Sequence, residues 1–139
     1  MPVSLTMTSV NNMSAKSVCI FCDCKNRGGV LSYSLHLAKA LGLKGYQVTF
    51  ISYTPDNEAM DDILADIKEN TNGVYLIDRE DSLDQKISKI KTHVNLIAPN
   101  FFIPNYRIDS YAACTGILNS NINIVGVCHS DNDSEYFTL

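Results

Sequence analysis

The sequence predicts an α/β fold, an open parallel sheet of about five strands with helices on both faces. Three features carry that reading: short runs rich in Val and Ile with few polar interruptions, stretches of helical period between them, and strict alternation of the two.

Ser17 to Phe21, Gln47 to Tyr53, Gly73 to Asp78, Val94 to Ala98 and Asn123 to Cys128 are the expected strands. Their successive apolar positions suit parallel strands covered on both faces. The first helix is marked by Leu31, Leu35, Ala38 and Leu41, at i, i+4, i+7 and i+10, and stops at Gly45. Met60, Ile63, Leu64 and Ile67 form a second apolar stripe, opened by Asp56 or Asn57 as cap. Leu83, Ile87 and Ile90 form a third, where Ser82 and Gln85 have capping-box spacing. Ile108, Tyr111, Ala112 and Thr115 suggest a fourth. Connections this short impose right-handed βαβ crossovers, so the arrangement is Rossmann-like. In the usual strand order the loops after the first and fourth strands face each other across a crevice. That places Asp23 to Gly29 beside Pro99 to Tyr106.

The 139 residues, 45% apolar and 19% charged, suit one globular domain. Residues 1–16, rich in Ser, Thr, Asn and Met without period, read as a flexible leader before a domain of residues 17–139. A net charge of -4 argues against nucleic-acid binding, which needs clustered Lys and Arg. No apolar run has the length to span a bilayer, and the start lacks a basic, then hydrophobic, leader. A cytoplasmic location is therefore expected. Five cysteines do not make an even framework and are read as reduced. Cys19 and Cys22 have C-x-x-C spacing, but within a strand they point to opposite faces and cannot converge on one metal ion. No metal or cofactor is expected.

Asn26-Arg27-Gly28-Gly29 leaves the first strand and opens the first helix. Glycines let another molecule approach the backbone, the free helix-end amides favour an anion, and Arg27 adds a charged donor. The plainer reading is a tight strand-to-helix turn. The segment is neither the G-x-G-x-x-G fingerprint nor a Walker loop: the glycines form only an adjacent pair, Ser52-Tyr53-Thr54 stands where an acidic residue belongs, and no Gly-Lys-Ser or Gly-Lys-Thr follows. At the end of the fifth strand, Val125-Gly126-Val127-Cys128 runs into His129-Ser130-Asp131, where open α/β sheets bind ligands. His129 is the leading candidate there; its plainer role is a loop histidine bonded to nearby backbone. In the loop expected after the fourth strand, Asn100 is a further substrate-binding candidate. Phe101, Phe102 and Tyr106 there either stack on a sugar or plug the core edge.

Gly28-Gly29, Leu37-Ala38-Lys39-Ala40-Leu41 and Lys44-Gly45-Tyr46-Gln47-Val48-Thr49-Phe50-Ile51 together resemble the opening of family-4 glycosyltransferases of the GT-B type. Ile124 to Asp131 resembles the later strand of the same lobe that ends in a histidine. Tyr46-Gln47 departs from the usual His-Glu. The resemblance implies a retaining transferase that moves a sugar from a nucleotide-sugar donor to a saccharide or other hydroxyl acceptor between two lobes, with this chain as the acceptor-side lobe. It implies that Gly28 and Gly29 lie against donor phosphates and acceptor, and that His129 helps hold the transferred sugar; Ser130 and Asp131 beside it are further substrate-binding candidates from their place after the fifth strand. It further implies a C-terminal lobe outside these residues, so the chain alone is expected not to turn over. The competing expectation is a noncatalytic α/β interaction module, a homodimer that covers an apolar face.

Overall fold

The computed structural model describes residues 16–127 and 129. Strand β1 (Ser17–Phe21) leads to helix α1 (Gly29–Leu43), β2 (Gln47–Tyr53), α2 (Glu58–Asn70), β3 (Gly73–Ile77) and α3 (Leu83–Ile97). Then come β4 (Phe101–Ile103), α4 (Ile108–Ala113), a 3-10 turn (Cys114–Gly116) and β5 (Asn123–Ile124). All five strands are parallel, in the order β3-β2-β1-β4-β5. The expected Rossmann-like sheet is therefore present, with β1 at the point where the chain reverses direction.

Alternation along the strands splits the core in two. Val18, Ile20, Val48 and Phe50 face Leu31 and Ala38 of α1 and Met60, Ile63, Leu64 and Ile67 of α2. Cys19, Phe21, Ile51, Tyr53 and Phe102 face Ile90 and Val94 of α3 and Ala113 of α4. Cys19 and Cys22 fall in opposite clusters, as strand geometry requires. Among the described residues no helix is long and apolar enough to cross a membrane.

The helix ends follow the local chemistry. The Asn57 side chain accepts the Met60 amide at 2.9 Å, and Ser82 and Gln85 make the reciprocal capping box. Gly45, at φ 89°, turns the chain out of α1, a backbone conformation few residues other than glycine take cheaply.

The fourth strand is a correction. Val94 to Ala98 is not a strand but the last turn of α3 and its left-handed cap, Ala98 at φ 48°. Val94 continues the stripe of Ile90 one helical turn on, and a short run such as Val-Asn-Leu-Ile-Ala satisfies either period. The strand is formed instead by Phe101–Ile103, read above as a loop. β5 is also shorter than expected, although Val125 N–H still reaches the Phe102 carbonyl at 2.9 Å. Most of the leader, and Cys128 and everything from Ser130 on, lies outside the described residues.

Phe102 is wholly buried in this sheet, whereas Leu96, on the solvent side of α3, is 77% exposed. Phe102→Ala is expected to cost about 3–5 kcal/mol in urea denaturation. Leu96→Ala should stay within about 0.5 kcal/mol of wild type; a large loss there would mean that residues 94–98 occupy the sheet after all.

Candidate functional site

β1 is apolar on both faces until Cys22 and Asp23, and there the chain emerges at the carboxyl end of the sheet. Because β1 and β4 are neighbours, the loops that follow them meet. They enclose a cavity of about 260 Å³, with Asp23, Lys25, Gly28 and Gly29 on one side and Tyr106 and Arg107 on the other. This is the crevice anticipated above, supplied on the β4 side by the end of its loop.

Gly28 caps α1 with extended backbone and no side-chain hydrogen bond, and the first turn of α1 carries no acidic residue. Ser32 N–H is the first to bond back, to the Gly28 carbonyl at 3.0 Å, so the amides before it have no partner within the helix. A Cβ on Gly29 would meet nothing within 4 Å, and one on Gly28 would meet only Asn26 Oδ1 at 3.6 Å. Neither glycine is demanded by packing. What the missing side chains achieve is to leave these amides open to the cavity, at the positive end of a 15-residue helix.

Behind the cavity is a charge cluster. The Asp23 carboxylate is fully buried and takes Arg79 in a fork, Nη2 at 2.6 Å and Nη1 at 3.1 Å, with Arg107 Nη1 at 3.4 Å. Arg107 Nε lies 3.2 Å from both oxygens of buried Asp109, which also accepts the Tyr53 hydroxyl and the Ser110 amide. Arg79, Lys86 and Arg107 all stand over the Tyr53 ring, at 5.8, 4.7 and 5.5 Å from its centroid. The hydrogen bond to Asp23 raises the Arg79 pKa. Burial pulls Arg107 down, but Asp109 and Asp23 outweigh it and the net shift is upward. Two carboxylates and two guanidiniums balance, so Lys25 and the helix end give the cavity a surplus of positive charge. Burial pushes the Cys22 thiol up to about 12 and Tyr106 up to about 12. Cys22 is thus a neutral wall, not a nucleophile.

His129 stands beside this cavity, not among its lining residues. Its Nε2 is 2.5 Å from Asn105 Oδ1, and its ring packs edge-on against Tyr33, one turn along α1 from Gly29, with centroids 5.1 Å apart. Burial lowers its pKa. Arg27 turns away from the cavity to Asp66 of α2, at 2.6 Å, an exposed pair of the kind that contributes about 0–1 kcal/mol. Asn100 lies at the opposite end of the sheet, because the strand begins after it: its Oδ1 accepts the Ser17 amide at 2.9 Å. Ser130 and Asp131 are outside the described residues. Thus Gly28 and Gly29 are brought to one cavity with His129 nearby, while Arg27 and Asn100 are not.

Arg79, Arg107, Asp109 and Asn105 were not anticipated. Each follows a strand end within a few residues, the position that signals ligand contact in this architecture, but Arg107, Asp109 and Asn105 follow a strand whose place was misread.

Fold and site together define an open parallel α/β domain with a crevice at its topological switch point. No protein-family model matches the chain, and no curated protein matches it. Among solved structures it is similar to a glycosyltransferase from Rickettsia africae, with TM-score 0.53 and 14% identity over 86% of this chain and 32% of that one. A universal stress protein from Archaeoglobus fulgidus gives TM-score 0.49 at 14% identity over 81% of this chain and 98% of that one. The chain spans about a third of the length of the glycosyltransferase. At these identities the likeness is one of fold.

Arg79→Ala would leave buried Asp23 with only the longer Arg107 contact, and a loss of about 3–5 kcal/mol is expected in chemical denaturation. His129 and His93 should titrate below 6.5, since burial disfavours the imidazolium in both, helped at His93 by Lys89. An unfolded chain takes up these protons at about 6.5 while the folded one resists. Their contribution to stability is therefore complete above 6.5 and declines as pH falls through it, which imidazole NMR titration with paired denaturation curves will check.

Proposed function

We propose that this domain is the acceptor-side lobe of a retaining GT-B glycosyltransferase of family 4, acting on a nucleotide-sugar donor and a hydroxyl-bearing acceptor. The observation that carries the reading is the cavity at the β1/β4 switch, where the open amides of Gly28 and Gly29 converge with Lys25 and Arg107. Backbone N–H groups at a helix start together with Lys25 suit the diphosphate of such a donor, while Arg107, matched by Asp109 and Asp23, forms the wall beside them. The fold likeness to a glycosyltransferase is consistent with this. In this reading His129, held against Tyr33 of α1, meets the sugar or acceptor. Transfer also needs groups that stabilise charge on the leaving diphosphate, and in this reading most of them come from a second lobe. The setting is the cytoplasm, where nucleotide sugars are available.

A second reading, an interaction module, draws on a separate apolar groove of about 210 Å³ between α1 and the β4–β5 half of the sheet, with Leu37, Leu41, Phe101 and Val125 among its walls. If a second copy covers it, mass in solution will rise with concentration.

Calorimetric titration with uridine and guanosine diphosphate sugars decides for or against the transferase reading. Saturable binding that weakens about tenfold or more in Lys25→Ala is expected, the worth of one charge-assisted hydrogen bond, with no sugar transfer by the 139-residue chain. Absence of binding to every donor and acceptor tried would turn the conclusion toward the interaction module.

A further inference from the structure

We infer that Asn105 is a positioning residue that fixes the proton of His129 on Nε2 and so makes Nδ1 the ring's hydrogen-bond acceptor. The assignment follows from a buried carbonyl. Asn105 is fully buried, and one end of its amide lies 3.0 Å from the Phe21 carbonyl oxygen, the last residue of β1. A carbonyl oxygen can only accept, so that end is Nδ2. The same nitrogen donates to Ser34 Oγ at 2.7 Å, and Ser34 Oγ in turn donates to the Val30 carbonyl at 2.7 Å. Both amide hydrogens are thereby used, and the remaining atom, Oδ1, faces His129 Nε2. Two acceptors cannot share that contact, so Nε2 carries the hydrogen.

The backbone holds the pair in register. Asn105 sits in the left-handed region at φ 74°, which asparagine tolerates better than most residues. The Tyr111 hydroxyl lies 3.1 Å from the Asn105 carbonyl and 2.8 Å from the Val127 carbonyl, and it accepts the Val127 amide at 3.0 Å. The chain two residues before His129 is thus tied to the residue that orients its ring. Burial keeps the imidazole neutral at neutral pH, so the ring has one donor nitrogen and one acceptor nitrogen.

The consequence concerns ligand chemistry and rests on the transferase reading. A group that meets Nδ1 has to bring its own hydrogen: a hydroxyl or an N–H fits, and a phosphate or carbonyl oxygen does not. In that reading a ligand group that reaches Nδ1 is a hydroxyl or an N–H, and the anionic part of the ligand falls to the α1 amides and Lys25.

Long-range proton–nitrogen NMR of the uniformly labelled chain at pH 7.5 reads the tautomer directly. The expected spectrum has a protonated Nε2, an unprotonated Nδ1 and an Nε2–H resonance slow to exchange with water, with the Nε2–H form in at least about tenfold excess. A protonated Nδ1, or no protected Nε2–H, overturns the assignment without any variant. Asn105→Gly keeps the positive φ and removes the amide; it should lose the protected Nε2–H and drift toward the mixed tautomers of an unconstrained imidazole. Ser34→Ala leaves the Phe21 carbonyl to orient the amide and should keep the wild-type spectrum. If Asn105→Gly keeps it too, the lock is not Asn105. A locked tautomer in a protein that binds no nucleotide sugar supports the Asn105 assignment and removes the transferase reading; sugar-nucleotide binding with an unlocked ring does the reverse.

Discussion

A carboxylate buried at the end of the central strand governs this half of the molecule. Asp23 leaves β1 with no solvent on its side chain, and an uncompensated charge in that position is intolerable. It is answered by Arg79 from beyond β3 and Arg107 from beyond β4, which come from opposite sides of β1. The carboxyl ends of three strands are thereby drawn to one point. Arg107 is held in turn by Asp109, and Asp109 by the Tyr53 hydroxyl at the end of β2. The cavity wall is the visible side of this network, so its shape is set by charge pairing more than by apolar packing. Pairing of this kind is weak evidence for net stability, but it penalises every arrangement that leaves a member unmatched.

A second, uncharged hub works on the other side of β1. Asn105 joins the end of β1 through Phe21, α1 through Ser34, and the segment after β5 through His129. Its amide can be satisfied in only one orientation. Between them the two hubs divide the labour: one supplies a rigid, electrically balanced floor, the other a neutral imidazole of defined hydrogen-bond sense.

Much of the fold was legible because apolar alternation and capping are local signals. Ser17–Phe21 and Gln47–Tyr53 were readable to the residue, and the Ser82–Gln85 pair announced α3. The failure at Val94 to Ala98 was also local in origin. Five apolar-leaning residues end a helix as readily as they make a strand, and nothing in them tells that Phe101–Ile103 will be recruited instead. That error carried Asn100 to the wrong end of the sheet. At the site, Gly28, Gly29 and His129 stood out because glycine pairs and a strand-end histidine are conspicuous. Arg79, Arg107 and Asn105 did not, since each acts on a partner more than fifty residues away. Such pairings exist only once the strand order is known.

The sheet is unequal across its width. β1 and β2 run for five and seven residues under two helices on one face, while β4 and β5 have only three and two. Local opening should accordingly be cheapest on the β5 side and dearest at β1–β2, with amide protection falling along that line. The cavity straddles the gradient, one wall on α1 and the other on the loop after β4. A molecule bridging those walls would bind the firm half of the domain to the loose half, so that occupancy would be felt as order spreading toward the edge strand.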